Sequence, residues 1–236
     1  MVEPLLLVPG MMCDARLYAA QIAALSRERA VQVAALTGAD TVEAMADQII
    51  FHAPPKFALA GLSMGGIVAM EIMRRVPMRV TRLALMDTTP LSETPVQAAA
   101  REPQIARAKA GRLAEVMAED MKPAYLAPGP GRARVLKSVM QMALDLGPGV
   151  YVRQSRALQR RPDQQRTLRG VKVPTLILCG RHDGLCPVRR HDLMAGLVPG
   201  ATLEILEDAG HLPTLEEPDA TTEALRRWLS GTLLLK

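Results

Sequence analysis

Aromatic residues are scarce in this 236-residue chain: three tyrosines, two phenylalanines and one tryptophan, 3% in all. The basic residues are not interleaved with rings, so a nucleic-acid groove built on stacking platforms is poorly supported. Cysteine is equally sparse. Cys13, Cys179 and Cys186 are odd in number and lack paired spacing, which suggests neither a disulfide framework nor a zinc site and favours a reducing compartment. No apolar run approaches the ~18 residues of a membrane helix. The run Leu5-Leu6-Leu7-Val8 has no basic region before it and is too short for a signal-peptide core. Phosphate loops, dinucleotide fingerprints, metal clusters, repeats and low-complexity tails are likewise not visible. The expectation is a soluble, cytoplasmic protein without cofactor, metal, nucleic-acid partner or membrane partner. The sequence sets no oligomeric state.

What the chain does have is apolar residues, 49% of its length, enough for one large domain with a sizeable core. Its formal charge of +5 is unevenly spread. Residues 88–170 carry 14 Lys/Arg against 7 Asp/Glu, whereas the remainder carries 15 against 17. The positive excess therefore belongs to one middle segment.

Six short apolar runs read as strands: Leu5–Pro9, Val31–Leu36, Phe57–Leu62, Val80–Asp87, Val173–Gly180 and Ala201–Glu207. Several are continuous rather than alternating, as in parallel strands buried on both faces. Helical patterns separate most of them, at Ala19–Glu28, Thr41–His52, Met64–Val76, Pro187–Val198 and Pro218–Leu229. The alternation predicts an α/β fold with a doubly wound, mostly parallel sheet of about six strands. Residues 88–170 break it. They contain no convincing strand and read as about four helices, near Pro95–Ala110, Leu113–Tyr125, Arg132–Leu146 and Val150–Arg160. Pro128-Gly129-Pro130-Gly131 and Gly147-Pro148-Gly149 divide them. The domain reading is a core of residues 1–87 and 171–236 with a helical lid of 88–170 inserted between the fourth and fifth strands.

Gly61-Leu62-Ser63-Met64-Gly65 lies between a strand-like and a helix-like run, the context a nucleophile elbow requires. A sharp strand-to-helix turn lifts the serine hydroxyl clear of the sheet and crowds the positions two before and two after it. Both are glycine here. An activated serine needs a base, an acid and donors for an oxyanion. In such sheets these gather at the carboxyl ends of the strands. His52 and His191 fall in helical runs and His182 follows the fifth strand. His211 follows the sixth, in a loop behind Gly210, and is the best base. Asp183, after the fifth strand, suits the order Ser…Asp…His, with Asp87 at the end of the fourth strand as runner-up. The oxyanion donors expected are the N–H groups of Met64, at a helix N-terminus, and of Met11, in the loop after the first strand.

These elements together resemble the α/β-hydrolase superfamily over nearly the whole chain. They are Leu5–Gly10, Gly61 to Gly66, Leu85-Met86-Asp87, Val173–Asp183 and Gly210-His211. The resemblance is to small esterase-like members with a helical lid, including carboxylesterases, the pimeloyl-carrier methyl esterase and the menaquinone-pathway synthase. It implies Ser63, Asp183 and His211 as catalytic triad and Met11 and Met64 as oxyanion hole. Pro9-Gly10 stands where His-Gly is usual, and two leading antiparallel strands are missing. The activity implied is hydrolysis of a carboxylic ester or thioester through an acyl-enzyme. Alternatives are triad-dependent elimination or carbon–carbon cleavage, and a non-catalytic small-molecule receptor.

Methionines are adaptable pocket liners, and Met12, Met117, Met121 and Met140 are candidates for contact with an acyl chain, although helical spacing alone favours plain core packing for most of them. Arg132, Arg134, Arg153, Arg156, Arg160 and Arg161 read first as a solvated face; the alternative is recruitment of an anionic small-molecule ester or thioester, a CoA ester or an acidic carrier protein, with Arg153 as a candidate contact.

Overall fold

The computed structural model describes residues 2–120 and 125–231. Six strands form one sheet: β1 (Leu5–Val8), β2 (Val31–Val33), β3 (Phe57–Leu62), β4 (Val80–Met86), β5 (Thr175–Gly180) and β6 (Thr202–Leu206), in the order β2-β1-β3-β4-β5-β6. All neighbouring pairs are parallel. Along β1, Leu5 and Leu7 point into one hydrophobic cluster and Leu6 and Val8 into another. Both faces are thus buried, which is why the strands read as unbroken apolar runs.

Helices cover both faces. After a 3₁₀ turn at Ala15–Tyr18 come α1 (Ala19–Leu25), α2 (Val42–His52) and α3 (Met64–Arg75). Thr41 caps α2 by accepting the Ala44 N–H at 3.2 Å. Between β4 and β5 lie α4 (Pro95–Lys109), α5 (Leu113–Asp120), α6 (Arg132–Gln159) and α7 (Gln165–Arg169). α8 (Val188–Leu197) follows β5, and α9 (Pro213–Glu216) and α10 (Pro218–Ser230) follow β6. Among the described residues no helix is long and apolar enough to cross a membrane.

The helical segment departs from expectation in two ways. The helices expected at Arg132–Leu146 and Val150–Arg160 are one run, α6, kinked at Gly147, whose φ is 79°. The Pro148 ring needs no donor partner in the first turn after that kink, so the helix resumes instead of ending. α7 is an additional short helix. The expected helix Leu113–Tyr125 is described as far as Asp120.

The chain crosses from β2 to β3 over β1, so the strand order reverses between β1 and β3. Open α/β sheets hold their ligands at such a switch point, beyond the carboxyl ends of the strands. Val8 pairs with Gly61 across it. That register sets the loop after β1 directly beside the turn after β3.

Candidate active site

Ser63 is the hinge between β3 and α3, with φ 55° and ψ −118°. Three non-glycine residues have positive φ among those described: Met12, Ser63 and Asp87. They follow β1, β3 and β4, so backbone strain concentrates at the carboxyl end of the sheet, as at functional sites. The Ser63 turn is held from both sides. Its N–H donates to the Met86 carbonyl at 2.9 Å, and its carbonyl accepts the Thr88 hydroxyl at 2.7 Å. A Cβ on Gly61 would lie 2.3 Å from the Gly65 carbonyl oxygen, and one on Gly65 would lie 2.0 Å from that of Val8. No other residue fits either position.

Ser63 Oγ lies 2.8 Å from His211 Nε2, and His211 Nδ1 lies 2.8 Å from Asp183 Oδ2. The second contact fixes the tautomer: a proton on Nδ1 bonded to the carboxylate leaves Nε2 to accept from the serine. His211 is held by its own N–H, which donates to the Tyr125 carbonyl at 2.8 Å. Glu216, behind it, accepts the N–H groups of Gly210, Leu212 and Ala127. Asp183 Oδ1 accepts the N–H groups of Leu185 at 2.8 Å and Cys186 at 2.9 Å. Burial pushes the Asp183 carboxyl up, but the charge and hydrogen bond of His211, the Cys186 N–H and Asp87 bring it below its ordinary range.

Asp87 is fully buried beside Asp183. Its Oδ1 accepts the Gly180 N–H at 2.9 Å. Burial, and then the charge of Asp183, push its pKa well above the carboxylate range, which favours the protonated form, and its Oδ2 makes no hydrogen bond among the described residues. It makes no contact with His211, the role it would need as an alternative acid. His191 accepts the Thr88 N–H on Nε2 at 3.1 Å; burial drives its pKa down to about 4, so it is a neutral strut behind the Ser63 turn. His52 and His182 are exposed.

Ser63 and His211 open into a cavity of about 430 Å³, within the usual size of small-molecule sites. Met11, Met64 and Met117 line it; Met12, Met140 and Arg153 do not. Met12 is fully buried, and its N–H donates to Gln154 Oε1 at 2.8 Å. Met140 packs half-buried against the core. Arg153 Nε donates to the Thr37 carbonyl at 2.8 Å. Helical spacing marks a side chain as inward-facing without saying which interior it faces. Met121 lies outside the described residues.

Gln154, on α6, is a contact the sequence reading missed. It is wholly buried, takes the Met12 N–H and donates to the Leu36 carbonyl at 2.9 Å. Its partner is 142 residues away, beyond any local pattern. For metal binding, Asp183, Cys186 and His211 offer donor atoms within 4.8 Å of one another. The aspartate and histidine are already paired, and burial raises the Cys186 thiol pKa well above its ordinary value, which disfavours the thiolate a metal needs.

The fold and this serine–histidine–aspartate arrangement define a class, and comparison with known proteins agrees. The chain belongs to the alpha/beta hydrolase family, whose model matches residues 5–224. It is 30% identical over 196 residues to the pimeloyl-[acyl-carrier protein] methyl ester esterase of Aromatoleum aromaticum, covering 76% of each chain. A thermophilic esterase from Thermogutta terrifontis, solved with malate bound, superposes with a TM-score of 0.88 at 31% identity, over 96% of this chain and 89% of that one. The enol-lactonase from Burkholderia xenovorans shares the fold at 22% identity and a TM-score of 0.86, over 98% and 92%. The chain is thus an enzyme of the ester-hydrolysing kind.

Proposed function

We propose that the chain cleaves a carboxylic ester or thioester through an acyl-enzyme on Ser63. The supporting observation is the pair of 2.8 Å contacts joining Ser63, His211 and Asp183 at a strained turn beside a cavity. His211 Nε2 takes the Ser63 proton as Oγ attacks the carbonyl carbon. The imidazolium so formed is stabilised by Asp183 and returns its proton to the departing alcohol or thiol. Water, deprotonated by His211, then releases the acid.

The tetrahedral oxyanion would be held by backbone N–H groups of Met64 and Met11. Met64 begins α3, where the first N–H groups have no partner within the helix and the dipole favours negative charge. Met11 lines the same cavity, in a loop braced through Met12 and Gln154. Residues 88–170 would serve as the lid, since Gln97, Met117, Tyr151 and Leu158 from that segment wall the cavity. The pimeloyl-carrier relatives make methyl esters the first substrates to try. Three buried free cysteines fit a reducing compartment such as the cytoplasm.

The test is labelling of Ser63 by a fluorophosphonate, with detection of an acyl-enzyme mass on a slow ester. Ser63→Ala should reduce hydrolysis of p-nitrophenyl esters by on the order of 10⁴-fold or more. Full activity in that variant would end the proposal. Turnover without any acyl-enzyme would shift the reading to triad-dependent lyase or carbon–carbon hydrolase chemistry.

A further inference from the structure

Three charged side chains in the cavity wall have no part in the mechanism: Glu93, Arg101 and Arg161. They are largely withdrawn from water, at 4%, 21% and 11% side-chain exposure. Arg101 grips the Glu93 carboxylate with Nε at 2.9 and 3.1 Å and with Nη2 at 2.6 Å. Arg161 Nη1 donates to the same oxygen, Oε1, at 3.1 Å, and its Nε donates to the Leu91 carbonyl at 2.9 Å. Two guanidinium groups therefore share one carboxylate. Glu93 is the only acidic side chain among the described residues lining this cavity, so the wall keeps one positive charge in excess.

That excess is not dissipated nearby. Arg161 Nη2 and Arg101 Nη1 have no acceptor among the described residues. Burial holds the Arg161 pKa below the ordinary arginine value, and although Glu93 opposes this, Arg101 and Arg190 add to it. Neither nitrogen is sealed from solvent, so both can be reached by an incoming anion, and a largely desolvated cation with spare N–H groups gains by meeting one. The planar guanidinium fork matches a carboxylate in particular. The arginines on the outside of the helical segment differ: Arg156 pairs with Glu102 and Arg160 with Asp40, each one to one.

We propose that Arg101 and Arg161 form an anion-binding subsite and that the substrate is a half-ester of a dicarboxylic acid. Its ester end lies at Ser63, its chain against Met11, Met117, Tyr151 and Leu158, and its free carboxylate at the two arginines. One excess positive charge suits a monoanionic carboxylate better than a dianionic phosphate. This deepens the ester-hydrolase reading and rests on it for the reaction, though not for the binding.

The experiment has two arms. In the first, kcat/KM is measured for monomethyl esters of succinic to suberic acid and for methyl esters of the matching monocarboxylic acids. The half-esters should be preferred by about ten- to hundredfold, the worth of a charge-assisted hydrogen bond, and the preference should shrink as salt rises. Arg101→Met and Arg161→Met should each lower the ratio of half-ester to neutral ester, whereas Glu93→Gln, which frees both arginines, should raise it. In the second arm, binding to the Ser63→Ala protein is followed by thermal shift with the same compounds. Half-esters should stabilise it and neutral esters should not. If neither class of ester is hydrolysed, the ester-hydrolase reading fails and the binding arm still decides the subsite. Equal binding of both classes, or a ratio that neither arginine variant moves, overturns the subsite and leaves the three charges as a pin between helices.

Discussion

The Cβ that Gly180 lacks would stand 2.1 Å from the carbonyl oxygen of Gly210. Gly180 ends the strand before Asp183, and Gly210 precedes His211. Their contact therefore sets how closely Asp183 and His211 approach. Gly180→Ala should push the His211 loop away from Asp183. The expected result is a loss of kcat well beyond any change in KM, with a destabilisation of about 1–3 kcal/mol, as for other overpacked sites. Steady-state kinetics and urea denaturation of one preparation check both.

Gln154 anchors the loop carrying one proposed oxyanion donor. Gln154→Leu leaves the Met12 N–H and the Leu36 carbonyl without their side-chain partner. Each such buried group costs about 1–3 kcal/mol. A loop displaced by ~1 Å can cost on the order of 10²-fold in rate. The drop should fall on kcat. An unchanged kcat with altered KM would remove the loop from the chemistry.

Asp87 and Asp183 are adjacent buried carboxyls whose pKa values are driven in opposite directions, Asp87 up by burial and Asp183 down by His211. Asp183→Asn should lower kcat by about 10⁴-fold, because an amide cannot hold the required tautomer of His211. Asp87→Asn should keep most of the activity, since it replaces a neutral acid with a neutral amide. The native state holds on Asp87 a proton that the unfolded chain releases above the ordinary carboxylate range. Wild-type stability is therefore lost, relative to Asp87→Asn, as pH rises from there toward the raised native pKa. Denaturation midpoints from acid to neutral pH measure this.

His191 has the opposite sign. Its native pKa of about 4 lies below the ordinary 6.5, so the unfolded chain takes up a proton that the native state refuses. Its contribution is complete above the ordinary value and is lost as pH falls from about 6.5 toward 4, to a limit of about 3 kcal/mol. His191→Gln, whose amide oxygen can still accept the Thr88 N–H, should flatten that part of the stability profile. An equal slope in both proteins would place the effect elsewhere.

Strands were legible because both faces of the sheet are buried, which leaves continuous apolar runs such as Phe57–Leu62. The positions of Ser63, Asp183 and His211 at strand ends followed from those runs. The contacts that hold them did not. Glu216 reaches 89 residues back to Ala127, and Glu93 is gripped from α4 and from beyond α6. Such pairings depend on how helices cross, and no local periodicity records that. Short elements such as α7 and α9 also carry too few turns to show a period. Gly147-Pro148-Gly149 was readable as an interruption, but its outcome as a kink depended on the packing of the helix beyond it.

Tyr151, Gln154 and Leu158 share one stretch of α6, two walling the cavity and one bracing the loop after β1. Remodelling this helix to admit a bulkier acyl group should therefore also disturb the loop proposed to carry an oxyanion donor. On that proposal, variants selected for a new substrate range from this stretch should carry a rate penalty on every substrate. Second changes that restore speed should appear in the loop after β1, far from the enlarged pocket.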